Sequence, residues 1–192
     1  MSIDKAKSTD TASSSLVAGT RSIETAIALG RFNFECIGAD GKVKWAESVP
    51  NLVVNAGLAY MAGSALTSVT QITAWYVGLY GAGASNTPAA GDTMSSHAGW
   101  TEVVPYSNAT RVACTFATAT TANPSVATNS ASPAAFTINA TSTVGGAFLT
   151  SGSAKSGTVG TLFSAVDFSA PGDRTVASGD TLNVTYTMSL AG

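Results

Sequence analysis

The segment TLNVTYTMSL, residues 181–190, alternates between apolar and polar side chains. Leu182, Val184, Tyr186 and Met188 fall on one side, and Asn183, Thr185, Thr187 and Ser189 on the other. An extended chain points successive side chains to opposite faces, so this pattern is sorted only by a strand with one dry and one wet face. Gly179-Asp180 just before it is a turn signal. No tail follows the pattern, which predicts a chain whose end is held in its own sheet.

Further upstream the same period recurs. RFNFECIG sets Phe32, Phe34 and Cys36 against Asn33 and Glu35, Asp40-Gly41 supplies a hairpin turn, and KVKWAE returns with Val43 and Trp45 expected on one face. AWYVGLY (74–80) reads as a buried strand. TEVVPY, TRVACTFATAT, AAFTIN, GGAFLTS and GTLFSAVDF read as strands separated by turn-rich connectors such as TANPSVATNSASPA. One or two short helices are expected. RSIETAIALG places Ile23 and Ile27 together and ends at Gly30 as a C-cap. Residues 56–66 place Leu58, Met61, Ala62, Ala65 and Leu66 at amphipathic spacing behind Asn55 as N-cap, although Gly57 and Gly63 weaken that helix.

About seven to nine short strands with no helical pattern between them predict a mainly β fold, an antiparallel β-sandwich or jelly-roll-like double layer. No fixed-period repeat suggests a solenoid or propeller. At 192 residues one such domain is the expected size. It spans 31–192, after an N-terminal arm over 1–30. Residues 1 to about 20 are polar and small, with little to bury, and are expected to be flexible.

Charge narrows the function classes. Only 10% of residues are ionic, against about 25% in an ordinary soluble domain, and 12 of the 9 basic plus 11 acidic residues lie in the first 50 positions. The net charge of −2 leaves no basic stripe for nucleic acid. No run of 18 apolar residues spans a membrane, and Asp4 and Asp10 interrupt any secretory leader, so synthesis in the cytoplasm is expected. Hydroxyls and methyls are cheaper to dehydrate than ions, so a surface rich in Ser, Thr, Ala and Gly suits coverage by a partner.

Little in the chain carries chemistry. Cys36 and Cys114 lack the spacing and partners of a metal site, and both are expected to be reduced, buried thiols. The loop GAGASNTPAAGDTMSSHAGW gathers Asp92, Ser95, Ser96 and the only histidine, His97. Triads are assembled from distant segments on a rigid scaffold, and no nucleophile elbow is present here. The loop's glycines lack the Gly-Lys-Ser/Thr phosphate cradle and open no helix. No catalytic, cofactor or metal residue is assigned, and His97 is expected to pack beside Trp100. The aromatics Trp75, Tyr76, Tyr80, Trp100 and Tyr106 suit either core packing or an exposed sugar-stacking platform.

NLVVNAGLAYM, WYVGLY, DTMSSHAGWTE, SGTVGTLFS and VASGDTLNVTYTMSL, in that order over about residues 31–191, resemble a family of tailed-bacteriophage virion structural proteins, closest to capsid decoration or cement proteins. The resemblance implies a non-enzymatic subunit on the capsid exterior that contacts the major capsid protein, self-associates into a homo-oligomer, and clamps neighbouring capsid chains. Asp92, His97, Trp100 and Glu102 then map to a structural signature, a loop-ordering or contact element. The other reading is a head-fibre or tail-associated protein that recognises a host-surface glycan, which requires exposed aromatics. A hydrolase around His97 requires a preformed pocket.

Overall fold

The computed structural model describes residues 26–81, 87–168 and 172–192; the expected flexible stretch, 1 to about 20, lies outside them. In chain order the elements are β1 (Ile27–Ile37), β2 (Val43–Pro50), β3 (Leu52–Val53), α1 (Asn55–Leu66), β4 (Tyr76–Gly81), β5 (Glu102–Val103), β6 (Val112–Ala113), β7 (Ser125–Thr128), β8 (Ala134–Thr137), β9 (Ser142–Thr150), β10 (Leu162–Asp167), β11 (Arg174–Val176) and β12 (Thr181–Ala191). They form two antiparallel sheets. The first runs β2-β1-β12-β7, with β8 also on β12; the second runs β3-β10-β9-β4-β5, with β11 on β9 and β6 on β4. The fold is mainly β, a two-sheet sandwich with one short helix among the described residues.

The alternation at the C-terminal end does what its period requires. β12 is the inner strand of the first sheet, paired with β1 from Ile27↔Ala191 to Ile37↔Thr181 and with β7 and β8 on its other edge. Leu182, Val184, Tyr186 and Met188 are buried with Phe32, Phe34 and Cys36 of β1, and face Val77, Leu79 and Leu149 of the second sheet. Phe32 and Tyr186 pack with ring centroids 4.7 Å apart.

The second sheet is buried on both sides. Tyr80, Phe148, Leu162 and Ala165 belong to a separate apolar cluster with Met94 and Trp100. Gly78 lies under Phe148, whose ring would be 2.2 Å from a Cβ there. This double burial explains why AWYVGLY reads as a continuous apolar run rather than an alternating one.

Several local expectations need correction. The helix expected to end at Gly30 is strand from Ile27 onward, because β1 extends along the full length of β12 and this pairing overrides local helical spacing. Val43 does not share a face with Trp45. Trp45 opposes Cys36, but Val43 opposes Ile37, so a bulge at Lys44 turns Val43 outward, where it is 56% exposed. Strand β7 arises inside TANPSVATNSASPA, which read as a connector.

The helix is present, but its packed side differs from the expected stripe: Met61 packs on the core with Tyr60 and Ala56, while Leu58, Ala62, Ala65 and Leu66 are exposed. Asn55 is its first residue, Val54 occupies the N-cap position and no side chain caps it. Its buried residues are Gly57 and Gly63, whereas Leu66 is 84% exposed. A Cβ on Gly57 would lie 2.2 Å from the Phe163 carbonyl oxygen, so glycine lets the helix backbone sit against β10. We expect Gly57→Ala to destabilise the protein by about 1–3 kcal/mol in urea unfolding, although alanine is the better helix former. Leu66→Ala should stay within about 0.5 kcal/mol of the parent. The opposite order would restore the apolar-stripe picture.

The turn before β12 ties distant segments together. Gly179 takes φ 91°. The buried Asp180 carboxylate accepts from Ala177 N–H at 2.8 Å and Lys44 Nζ at 2.7 Å, with Cys36 Sγ at 3.6 Å. Burial alone would raise the Asp180 pKa; the Lys44 and Ala177 hydrogen bonds outweigh it and hold the carboxyl below its ordinary value. Both cysteines are free. Burial, reinforced by Asp180, pushes Cys36 up to about 11, and burial pushes Cys114 up to about 12. The sign differs at the two ends of the pH scale. The Asp180 contribution is present above about pH 4 and is lost as pH falls through its lower folded pKa. The neutral-thiol contribution is complete below about pH 8.5 and is lost as pH rises through 11 and 12. Unfolding measured against pH should therefore show an acid limb flattened by Asp180→Asn and an alkaline limb reduced by Cys36→Ala with Cys114→Ala.

Candidate functional site

The apolar outer side of the second sheet needs a cover, and the histidine-bearing loop provides it. Its anchor is Trp100, 4% exposed, whose ring meets Tyr80 at 5.0 Å and Phe148 at 5.1 Å between centroids. Met94 is buried beside it. Gly99, at φ 96°, takes a left-handed conformation that side chains disfavour and so lets the chain turn into Trp100. Asp92 organises the loop from within: its Oδ2 accepts from Ala89 N–H at 2.9 Å and from Trp100 Nε1 at 3.3 Å. The Ala90 carbonyl accepts from Asn55 N–H at 2.8 Å, which fastens the loop to the start of α1.

His97 stacks on Trp100 with centroids 3.8 Å apart and planes 22° from parallel. Its Nδ1 lies 3.1 Å from the Trp100 carbonyl oxygen. A carbonyl only accepts, so Nδ1 carries a proton and donates it to this contact. Ser95 Oγ pairs with Thr93 Oγ1 at 3.2 Å, and Asp92 serves Ala89 and Trp100. Among the described residues no hydrogen bond joins His97 to Ser95, Ser96 or Asp92. The nucleophile-to-base-to-carboxylate relay that acyl transfer uses is therefore not assembled. The described residues also contain no group of three or more His, Cys, Asp and Glu able to hold a metal.

Glu102, on β5, stands beside this stack and faces Arg111. The guanidinium donates from Nε to Glu102 Oε1 at 2.9 Å and from Nη2 to Oε2 at 2.7 Å. It also donates to the Gly152 and Gly157 carbonyls, each at 2.8 Å, and lies 5.1 Å above the Phe148 ring. Ser156 N–H donates to the same carboxylate at 2.7 Å. Both side chains are almost wholly buried, at 1% and 6% exposure. A buried ion pair is tolerable only when its remaining polar atoms are satisfied, and this one gathers strand β5, the approach to β6 and the 152–157 turn around itself.

The four residues singled out in the sequence thus meet in one place. His97, Trp100, Glu102 and Arg111 line a cleft of about 190 Å³, with Asp92 holding Trp100 from behind. Arg111 was missed, though a signal existed: it is the only charged residue between Glu102 and Lys155. One cation in so long an uncharged stretch points to a specific partner.

The aromatic set is mostly interior. Tyr80, Trp100 and Tyr106 are buried, while Trp75 and Tyr76 are half-buried. Compared with family models, curated proteins and solved structures, the chain matches none.

Removing the cation should cost far more than removing the pair. Arg111→Met leaves Glu102 buried without its counter-charge and should destabilise the protein by about 3–5 kcal/mol. The double variant Arg111→Met with Glu102→Leu should recover much of that loss in the same unfolding assay. Equal losses in both would mean that the ion pair is not the organising element.

Proposed function

We propose that this chain is a non-enzymatic virion structural protein: a capsid decoration subunit that sits on the outside of a phage shell, contacts the major capsid protein and clamps neighbouring subunits. The observation that carries this reading is the outer face of the first sheet. Neither helix nor loop of the described residues covers it, in contrast to the second sheet. Its surface carries Asn183, Thr185, Thr187 and Ser189 of β12, Asn33 of β1, Ser48 of β2 and Thr128 of β7, with Arg31 and Glu35 as ions and Val43, Ala46, Pro50 and Val126 interspersed. Arg31 donates to Ser48, Ser48 to Asn33, and Thr128 shares a hydrogen bond with Thr187, so the polar groups are already ordered across strands.

Such a face suits broad contact with a protein lattice. Hydroxyl and amide groups lose little on dehydration when they find partners, and their ordered side chains sacrifice little further entropy. Exposed Ile27 and Leu29 extend the same face at the start of β1. A glycan-binding fibre or tail protein calls instead for exposed aromatics, and the exposed large apolar residues are all aliphatic among the described residues.

A subunit that binds the assembled lattice and not its dissociated chains stabilises it by mass action, about 2.7 kcal/mol per site at a hundredfold excess over Kd. Self-association or contact with several capsid chains would multiply modest affinities. Shells assembled without this protein should form yet rupture at lower temperature, and added protein should restore them. Restoration should depend weakly on salt, since few ions contribute, and Thr187→Arg should impair it by at least tenfold in concentration. Unchanged shell stability with loss of adsorption to host cells would reject this role.

A further inference from the structure

Beside β7 the edge of the sandwich carries an open cleft of about 620 Å³, lined by half-buried Tyr60, Trp75, Tyr76 and Phe116, with Cys114, Leu149, Tyr186 and Met188 packed beneath them. Its walls come from both sheets. Residues 114–117 cross between the sheets over it, fixed by Cys114 N–H to the Trp75 carbonyl at 2.8 Å and Ala117 N–H to the Thr128 carbonyl at 2.9 Å.

Aromatic rings in edge-to-face contact form the floor of this cleft. Tyr60, Trp75, Phe163 and Tyr186 follow one another at centroid distances of 5.4, 5.3 and 6.4 Å, and Phe116 meets Tyr186 at 5.9 Å. No Asp, Glu, Lys, Arg or His is among the lining residues. Gln71, Thr73 and Thr115, exposed at the rim, supply neutral hydrogen-bonding groups.

A volume of this size lies in the range that holds drug-sized ligands. Water there meets walls that offer it few hydrogen bonds, so an apolar guest gains by displacing it. The missing ions set the guest's charge, because an ionic group would be desolvated without a partner. The ring-lined wall favours a flat or cyclic body, which can meet aromatic faces and edges together.

We propose that this cleft binds an uncharged, largely apolar small molecule with an aromatic or alicyclic body. The site is separate from the outer face of the first sheet and does not depend on the capsid role. N-phenyl-1-naphthylamine, a neutral dye that brightens in apolar surroundings, is the probe. Titrated into the folded protein it should give saturable fluorescence. Its sulfonated relative, 1-anilinonaphthalene-8-sulfonate, should bind at least tenfold more weakly. Ala127→Phe and Ala117→Trp, which fill the cleft from two walls, should each weaken the neutral dye at least tenfold, while Ala46→Phe on β2 should leave it unchanged. Near-UV circular dichroism identifies any variant that fails to fold, and the other filling variant then decides. Absence of saturable binding, equal affinity for the sulfonate, or full affinity in a folded filling variant would overturn the proposal.

Discussion

A sheet with apolar side chains on both faces must be covered twice, and that requirement organises this molecule. Strands β4, β9 and β10 present Val77, Leu79 and Leu149 to the first sheet and Tyr80, Phe148 and Leu162 to the other side. The first sheet satisfies one half. The second half falls to short pieces: a helix that approaches through Gly57, and a loop that inserts Met94 and Trp100. Neither cover brings a broad hydrophobic surface of its own, so both rely on specific polar ties. Asp92 holds Trp100, the Ala90 carbonyl holds the helix start, and the Arg111–Glu102 pair closes the neighbouring edge.

This division of labour explains what could be read from the sequence and what could not. Strands that bury one face announce themselves through alternation, as in Phe32-Phe34-Cys36 and in β12. Long-range pairing leaves no such mark, so residues 27–30 carry helical spacing although they pair with β12. The Lys44 bulge was equally silent, because a single added residue reverses every later side chain without altering composition. The helix misled for a different reason. Its leucines suggested a stripe, but distance of approach rather than apolar area decides its packing, and glycine is invisible to a hydrophobic count.

The candidate site was legible as a set of residues and not as a mechanism. Asp92, His97, Trp100 and Glu102 stood close enough in sequence to be grouped, and they are grouped in space. Their bonds point inward, to backbone, to one another and to Arg111, which is the signature of a loop held in one shape. The face proposed for contact lies on the opposite sheet, where the sequence showed only the alternating Asn183, Thr185, Thr187 and Ser189. A polar face is recognised by what fails to cover it, and that is a property of the assembled fold.

The partnership of β1 with β12 also sets an order of events during synthesis. Cys36 and Asp180, which meet at the end of that pairing, stand 144 positions apart. At about 5–20 residues per second the ribosome needs roughly 7 to 30 s to cover that distance. Through that interval the buried face of β1 has no neighbour on its β12 edge, whereas β4, β9 and β10 can already pair. The hairpin of β1 with β2 must therefore wait on the ribosome with Phe32 and Phe34 uncovered, a window in which chaperone capture and mispairing between nascent copies compete with folding.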